Sequence, residues 1–455
     1  VPRAGGCGVI PFLLNHRIYD LTGVDPEESL LRWLRRQGLS GTKEGCGDGD
    51  CGACTVALLV PDDKGGCTRQ AVMSCLLPLG LLPGRSLETV EALARGDQLH
   101  PAQQALVDCA GSQCGYCTPG FVMSLYVGLN EGELNDHTIA GNLCRCTGYR
   151  PIREAMVRLQ DAPRDEAAVA PALTDAALGG VVSPLGIARA LELKAQQPHA
   201  RFIAGATDLG VNLSRGQRMP AGLIGLDRIE ELKQLALDPE RVRIGAGVSL
   251  SRIERELAGV FPALDEMLRW FASRQVRNRA TVGGNLGSAS PIGDLLPVLL
   301  ALDASIELRS VRGTRVLQAQ DFFIDYRKTE LAPDELILAV EIPRPPDRID
   351  RAYKVSKRQT DDISIVAACF ALTRDALSRV KHVRLAYGGV AAIPQRALAV
   401  EAFLLGKTLD EATVNAACAQ LQTAFVPLTD HRASAAYRRH LCGALFAKFC
   451  AELQA

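Results

Sequence analysis

The chain alternates short apolar runs with glycine-punctuated polar stretches, and the period of each run predicts its element. Residues 9–22 (VIPFLLNHRIYDLT) read as two short strands with a turn near Asn15–Arg17. Glu27–Gln37 has helical spacing in Leu30, Leu31 and Leu34, and Gly38 stops it. Ser86–Ala94 reads as an amphipathic turn and helix. Thr118 is a candidate cap, with Pro119 suited to the first helical position and Gly120–Leu129 following. Asp136 would cap a shorter helix broken at Gly141, and Thr147 and Pro151 open a third that runs to about Leu159. Residues 160–180 are alanine-rich with scattered proline and acid, too little to seed a core, and predict a surface linker. Order resumes as a helix over Ser183–Lys194, then as strand, glycine turn and helix start in RFIAGATDLGV, 201–211. Ile224–Leu235 and Arg241–Val248 read as strand and turn, and Val340–Pro343 as a strand end. Beyond 351 come strands at 363–371 and 381–388, then helices at 395–405, 410–422 and 434–449.

A length of 455 residues predicts two to four domains, and 47% hydrophobic residues are ample for their cores. A formal charge of +0 gives no support for a nucleic-acid partner or an anionic membrane surface. No apolar run approaches a spanning helix, and the opening VPRAGGCGVIPFLLNH lacks the pattern of a secretion signal. Fifteen cysteines, an odd number arranged partly as CxxC and CxC, favour reduced, ligating thiols in the cytoplasm over a disulfide framework.

The cysteine spacing carries the chemistry. Cys46, Cys51, Cys54 and Cys75 follow C-x4-C-x2-C-x20-C, whose first part matches the plant-type [2Fe–2S] pattern. Gly45, Gly47, Gly49 and Gly52 free the loop to wrap an anionic cluster and aim N–H groups at it. Cys67 reads as a bystander in the turn DDKGGC, whereas Cys75 has a strand-like setting in AVMSCL. A second set, Cys114, Cys117, Cys144 and Cys146, combines CGYC with CRC across 26 residues. Antiparallel helices joined by 131–136 would bring its two halves together. A structural zinc site is the alternative reading of CxxC. Cys109 reads as a core residue, and Cys369, Cys418, Cys442 and Cys450 as buried or incidental.

Two further stretches suit a bulky, phosphate-bearing ligand. After the strand that opens RFIAGATDLGV, Gly205 and Ala206 open backbone N–H groups to a pyrophosphate, with Thr207 and Asp208 in the first helical turn. TVGGNLGSASPIGDLLPVLLAL, 281–302, reads as a loop of small side chains before an apolar helix. Neither stretch is GxGxxG, so a Rossmann domain is not supported.

GCGDGDCGACTV with SCLLPL, and QCGYCTPGF with GNLCRCTGYRPI, resemble the iron–sulfur part of the molybdenum hydroxylase family. All eight ligand positions are matched, and Gln113 falls where the family places a glutamine near its pterin. The 201–211 and 281–302 stretches resemble the two nucleotide loops of the family's FAD domain. That resemblance implies that Phe202, Ile203, Ala204, Gly205, Ala206, Thr207, Asp208 and Leu209 line the diphosphate. It implies that Thr281, Val282, Gly283, Gly284 and Asn285 continue the cradle, with Phe271 beside the isoalloxazine and Asp294, Ile337 and Lys354 completing the site. By its residues alone, a core aromatic is the alternative for Phe271, and a helix cap for Asp294.

The fold implied is α+β multidomain. It comprises a β-grasp plant-type ferredoxin domain (1–83), a four-helix iron–sulfur domain (84–159), the linker (160–180), an α+β FAD-binding domain (181–345) and an α/β C-terminal flavoprotein-associated domain (346–455). The resemblance implies an electron-transfer subunit with two [2Fe–2S] clusters and FAD, with no catalytic residue of the hydroxylation on this chain. Molybdopterin would sit on a large partner subunit in an (αβ)2 heterotetramer, and NAD would be the acceptor. Two cluster segments and a flavin segment in one polypeptide resemble the small subunits of bacterial xanthine-oxidising members. An aldehyde or other N-heterocycle hydroxylase is the alternative.

Overall fold

The computed structural model describes residues 10–61, 66–165, 172–358 and 360–454. The opening read for a secretion signal lies mostly outside them, as does most of the DDKGGC turn. The chain divides into two compact units, Val1–Ile229 with Ser273–Ala280, and Glu230–Ala272 with Thr281–Ala455. The segment expected as the FAD-binding domain contributes residues to both. Among the described residues, no helix is long and apolar enough to cross a membrane.

The first unit opens with a hairpin, β1 (Pro11–Leu14) and β2 (Arg17–Asp20). Asn15 and His16 both turn at positive φ, 51° and 63°, as a two-residue loop between twisted strands requires. Helix α1 (Leu30–Arg36) starts later than expected because Ser29 caps it, accepting from the Arg32 N–H. Strands β3 (Thr55–Pro61), β4 (Cys67–Met73) and β5 (Ser86–Glu88) complete a sheet of order β2-β1-β5-β3-β4, with β1 and β5 parallel. Phe12, Leu14, Leu30, Trp33, Leu34, Val56, Leu58 and Leu87 form its core against α1. This is the β-grasp arrangement.

Three expectations change here. Ser86–Glu88 is a strand, because Leu87 is buried where it pairs with Leu14 and Leu58; only Val90–Ala92 makes a helical turn. Cys67 begins β4 instead of lying in a turn. Cys75 lies beyond the strand, since the β3–β4 ladder ends at Thr55 and Met73 and Ser74 turns back to the Cys54 carbonyl.

Four helices follow: α2 (Pro101–Asp108), α3 (Thr118–Glu131), α4 (Asp136–Ile139) and α5 (Arg150–Arg158). Phe121, Leu125, Leu129, Leu106 and Ile152 pack between them. The caps differ by one residue or more from expectation. Cys117 precedes α3, with Thr118 inside it; Asn135, not Asp136, accepts from the first turn of α4; and Tyr149, at φ 68°, precedes α5.

The expected linker is partly built into the fold. Asp165 donates its N–H to Asn130 Oδ1 at 2.9 Å, and its carboxylate accepts from Asn130 Nδ2 at 3.2 Å. Strand β6 (Ala176–Leu178) pairs with β7 (Val181–Ser183), because Leu178 and Val181 carry enough apolar surface to be buried. Ser183 therefore closes a strand, and α6 begins only at Ile187, running to Gln196. With β8 (Arg201–Ile203) and β9 (Leu223–Gly225) these form a sheet of order β6-β7-β9-β8, and α7 (Leu209–Ser214) follows β8.

In the second unit, β10 (Leu235–Leu237), β11 (Arg241–Gly245), β12 (Ser305–Ser310), β13 (Gly313–Gln318) and β16 (Leu336–Pro343) form an antiparallel sheet of order β10-β11-β16-β12-β13. The small hairpin β14 (Phe323–Asp325) and β15 (Lys328–Thr329) stands apart from it. A second antiparallel sheet joins β17 (Ile349–Val355), β18 (Val366–Arg374), β19 (Val380–Gly388) and β20 (Gln395–Arg396). Helices Glu411–Leu421 and Ala435–Glu452 belong to its core, with Phe370, Tyr387, Phe446 and Phe449 at the centre. The stretch 282–288, expected as loop, is a helix (Val282–Ser288): Thr281 accepts from the Gly284 N–H at 3.0 Å and starts it.

Candidate iron–sulfur and flavin sites

The eight cysteines are brought together as four pairs, all in the first unit. Cys54 Sγ lies 3.4 Å from Cys75 Sγ, and the thiol of Cys46 is hydrogen-bonded to that of Cys51. In the second set, Cys117 pairs with Cys144 and Cys114 with Cys146. Cys67 and Cys109 belong to no pair. No group of three or more His, Cys, Asp or Glu among the described residues surrounds one metal ion. Pairs are what a binuclear cluster needs, two thiolates for each iron, whereas a structural zinc would gather four ligands around one ion.

The first loop supplies N–H donors to its sulfurs. Asp48 and Asp50 donate to Cys46 Sγ at 3.4 and 3.3 Å, and Cys46 donates to Cys51 Sγ at 3.4 Å. Hydrogen bonding from Cys51 brings the Cys46 thiol down to about 5, and the same contact pushes Cys51 up. Cys54 is lowered by Cys75, which is raised in turn by that bond and by burial. In the second set, burial and then Cys144 push Cys117 up to about 12. Burial opposes ionisation of Cys144, yet the Thr147 hydroxyl and N–H hold it below the usual thiol range. Iron would displace the protons these thiols hold.

The two loops are fixed against each other by backbone. Leu143, beside Cys144, donates its N–H to the Cys51 carbonyl at 3.0 Å. A Cβ on Gly52 would fall 2.3 Å from the Gly141 carbonyl oxygen, and one on Gly120 2.3 Å from that of Gly52. Asn142 locks the junction. Its Nδ2 donates to the Gly52 carbonyl at 2.9 Å, and its Oδ1 accepts from Ser124 Oγ at 2.7 Å and from Gln275 Nε2 at 3.0 Å. Sequence reasoning missed Asn142 and Gln275. Their only signal was an uncharged amide two residues before a ligand cysteine and another in an arginine-rich stretch.

The flavin candidates fall in both units. In the first, the chain from Phe202 to Leu209 leaves β8, turns with Ala206 at φ 67° and enters α7. A Cβ on Gly205 would fall 1.6 Å from the Arg279 carbonyl oxygen, so only glycine fits this turn. In the second, Thr281 caps the helix that carries Val282, Gly283, Gly284 and Asn285. Gly283 rests against Ala246, and Gly284 is exposed. Asn285 Oδ1 is buried without a hydrogen-bond partner, an acceptor that suits a ligand donor. Asp294 does not cap its helix. Its carboxylate instead accepts from Ser364 Oγ at 2.5 Å and Lys354 Nζ at 2.8 Å, and Lys354 also donates to the Trp270 carbonyl at 2.9 Å. Phe271 is half-buried, and Ile337 is buried in β16, 3.8 Å from where a Cβ on Gly287 would stand. Each unit thus offers one feature suited to a phosphate-bearing ligand: in the first, a turn that admits no side chain, and in the second, a small-sided helix with an orphan acceptor.

Comparison with known proteins defines the class. Four family models match in series: a 2Fe-2S iron-sulfur cluster binding domain over 18–79, a [2Fe-2S] binding domain over 89–157, the FAD binding domain in molybdopterin dehydrogenase over 175–345, and the CO dehydrogenase flavoprotein C-terminal domain over 351–453. Xanthine dehydrogenase of Emericella nidulans is 33% identical across 97% of this chain and 38% of its own length. Xanthine dehydrogenase/oxidase of Rattus norvegicus is 32% identical across 90% and 36%. The chain thus spans less than two-fifths of these relatives. Among solved structures, a chain of carbon monoxide dehydrogenase from Hydrogenophaga pseudoflava is 26% identical, covering 59% of this chain and 94% of that one at a TM-score of 0.56. A chain of quinoline 2-oxidoreductase from Pseudomonas putida 86 is 27% identical, covering 62% and 98% at 0.56. The 455 residues therefore hold iron–sulfur and FAD domains of the molybdenum hydroxylase family, homologous to xanthine dehydrogenase and carbon monoxide dehydrogenase.

Proposed function

We propose that this chain is the electron-transfer part of a xanthine dehydrogenase of the bacterial, split-subunit type. Electrons drawn from hypoxanthine or xanthine at a molybdopterin cofactor on a large partner subunit would pass by way of the Cys114/Cys117/Cys144/Cys146 site, the Cys46/Cys51/Cys54/Cys75 site and FAD to NAD+. The observation that carries this reading is the pairing of the thiols, with the two loops joined by the Leu143–Cys51 hydrogen bond. When bound, iron–sulfur centres handle single electrons and FAD can hold two, which is what hydride delivery to a nicotinamide requires. The chain's own residues hold, bury and hydrogen-bond these groups. Phe202–Leu209, Phe271, Thr281–Asn285, Asp294, Ile337 and Lys354 are the proposed flavin contacts, and the assembly is an (αβ)2 heterotetramer in the cytoplasm.

Xanthine as substrate is favoured by the xanthine dehydrogenases that align with nearly the whole chain. A second reading, an aldehyde or other N-heterocycle hydroxylase, is favoured by the quinoline 2-oxidoreductase chain. The test is anaerobic bleaching of the visible spectrum in the purified complex. Xanthine should bleach iron–sulfur and flavin bands together, and NAD+ should restore them. Bleaching by quinoline or an aldehyde but not by xanthine selects the second reading, and a colourless protein removes both.

A further inference from the structure

The loop of the first cluster site is acidic. From Lys43 to Cys54 it carries Glu44, Asp48 and Asp50 against one lysine. A [2Fe–2S] centre held by thiolates is anionic and takes on further negative charge when reduced, so fixed charges beside it set how readily it accepts an electron. Asp48 is placed there by its backbone, whose N–H donates to Cys46 Sγ at 3.4 Å. Gly47 and Gly49 on either side turn at φ 73° and 87° and fold the loop around that sulfur.

A cation reaches this carboxylate from far along the chain. Arg215, at the C-terminal end of α7, donates Nε to Asp48 Oδ1 at 3.1 Å and Nη2 to Oδ2 at 2.9 Å, a two-pronged grip. The helix end is itself tied to the loop. Ser214 Oγ donates to the Gly47 carbonyl at 2.6 Å, and the Ser214 carbonyl accepts from Arg32 Nη2 at 3.0 Å. Within the same helix, Gly210 lies so close to the turn after Cys75 that a Cβ would fall 2.2 Å from the Leu76 carbonyl oxygen. Arg215 is 61% exposed, so the pair adds little to folding stability. Its place on the residue whose backbone N–H bonds a ligand sulfur gives it another effect.

We propose that Arg215 is an electrostatic tuning residue: by neutralising Asp48 it holds the reduction potential of the first cluster above the value the acidic loop would impose. The inference rests on the iron–sulfur reading of that loop, and it concerns a residue acting through Asp48 and not a ligand.

The test is a potentiometric titration of the full chain followed by electron paramagnetic resonance, for the unaltered protein, Arg215→Gln, Asp48→Asn and the double variant. Arg215→Gln is expected to lower the midpoint of the first cluster and Asp48→Asn to raise it. The double variant should return close to the unaltered value, with the second cluster unmoved throughout. Added salt should shrink both shifts, because the pair faces solvent. A contact that merely holds the loop would move both single variants in one direction, or neither, and that result overturns the proposal. If Arg215→Gln fails to retain its cluster, the sign of the Asp48→Asn shift still decides. Loss of cluster signals from the unaltered chain would overturn the iron–sulfur reading and this inference together. Normal signals with unmoved potentials overturn this inference alone.

Discussion

A thiol becomes an iron ligand only by giving up its proton, and the four pairs differ in how far the protein has prepared that step. Cys46 accepts from two backbone N–H groups besides its partner, whereas Cys54 and Cys75 are buried together with their sulfurs 3.4 Å apart. Replacing Cys54 by serine removes one thiolate of the first site and leaves the second intact. Iron is expected to fall from about four to about two per chain, with one of two paramagnetic signals lost. Cys67→Ser, by contrast, should leave iron content unchanged; equal losses in both variants would refute the ligand assignment. These ligands were legible because spacing within 29 or 32 residues encodes each set. Asn142 and Gln275 were not, since their contact joins positions 133 residues apart and each looks like an ordinary polar residue in its own neighbourhood.

At the scale of elements, the reading failed where tertiary pairing overrode local pattern. Ser86–Glu88 is too short to show a strand period, and only its place between β1 and β3 makes it one. Val282–Ser288 looked like loop because glycine weakens a helix; its cap at Thr281 restores it. Two strands and two helices after 351 were legible near their observed places, Val366–Arg374, Val380–Gly388, Glu411–Leu421 and Ala435–Glu452, whereas β17 was not. One junction between elements makes a pH prediction. Asp227, just after β9, accepts from Arg85 at the start of β5 at 2.5 Å and from Arg279 at 3.1 Å. Burial alone would raise its carboxyl, but Arg85, Arg279 and Arg228 hold it at about 2. A folded value below the unfolded one means the contribution, on the order of 2 kcal/mol, is present above about pH 4. It is lost as pH falls through about 2. Asp227→Asn should therefore cost stability at pH 7 and show a shallower stability loss than the unaltered chain between about pH 4 and 2, measured by denaturant unfolding at each pH. A parallel pair of curves would rule out this aspartate as the acid-sensitive group.

For the whole molecule, the candidate ligands are divided unevenly: all eight thiols lie in the first unit, and the second has its own core around Phe370, Tyr387, Phe446 and Phe449. In the first unit the cluster loops are not appendages. Gly52 packs closely against the backbone of both Gly141 and Gly120, and Cys54 and Cys75 share a small core with Leu31, Met73 and Leu76. Taking iron away leaves four thiol pairs to find protons inside that packing, so iron binding and folding of the first unit are linked. Anaerobic chelation is expected to lower the thermal transition of this unit, by about 2–4 °C for each kcal/mol lost, and to leave the other transition in place. Differential scanning calorimetry with flavin retained distinguishes the two. Two transitions falling together would mean that iron supports both cores, and no shift would mean that the cysteine loops hold their shape without it.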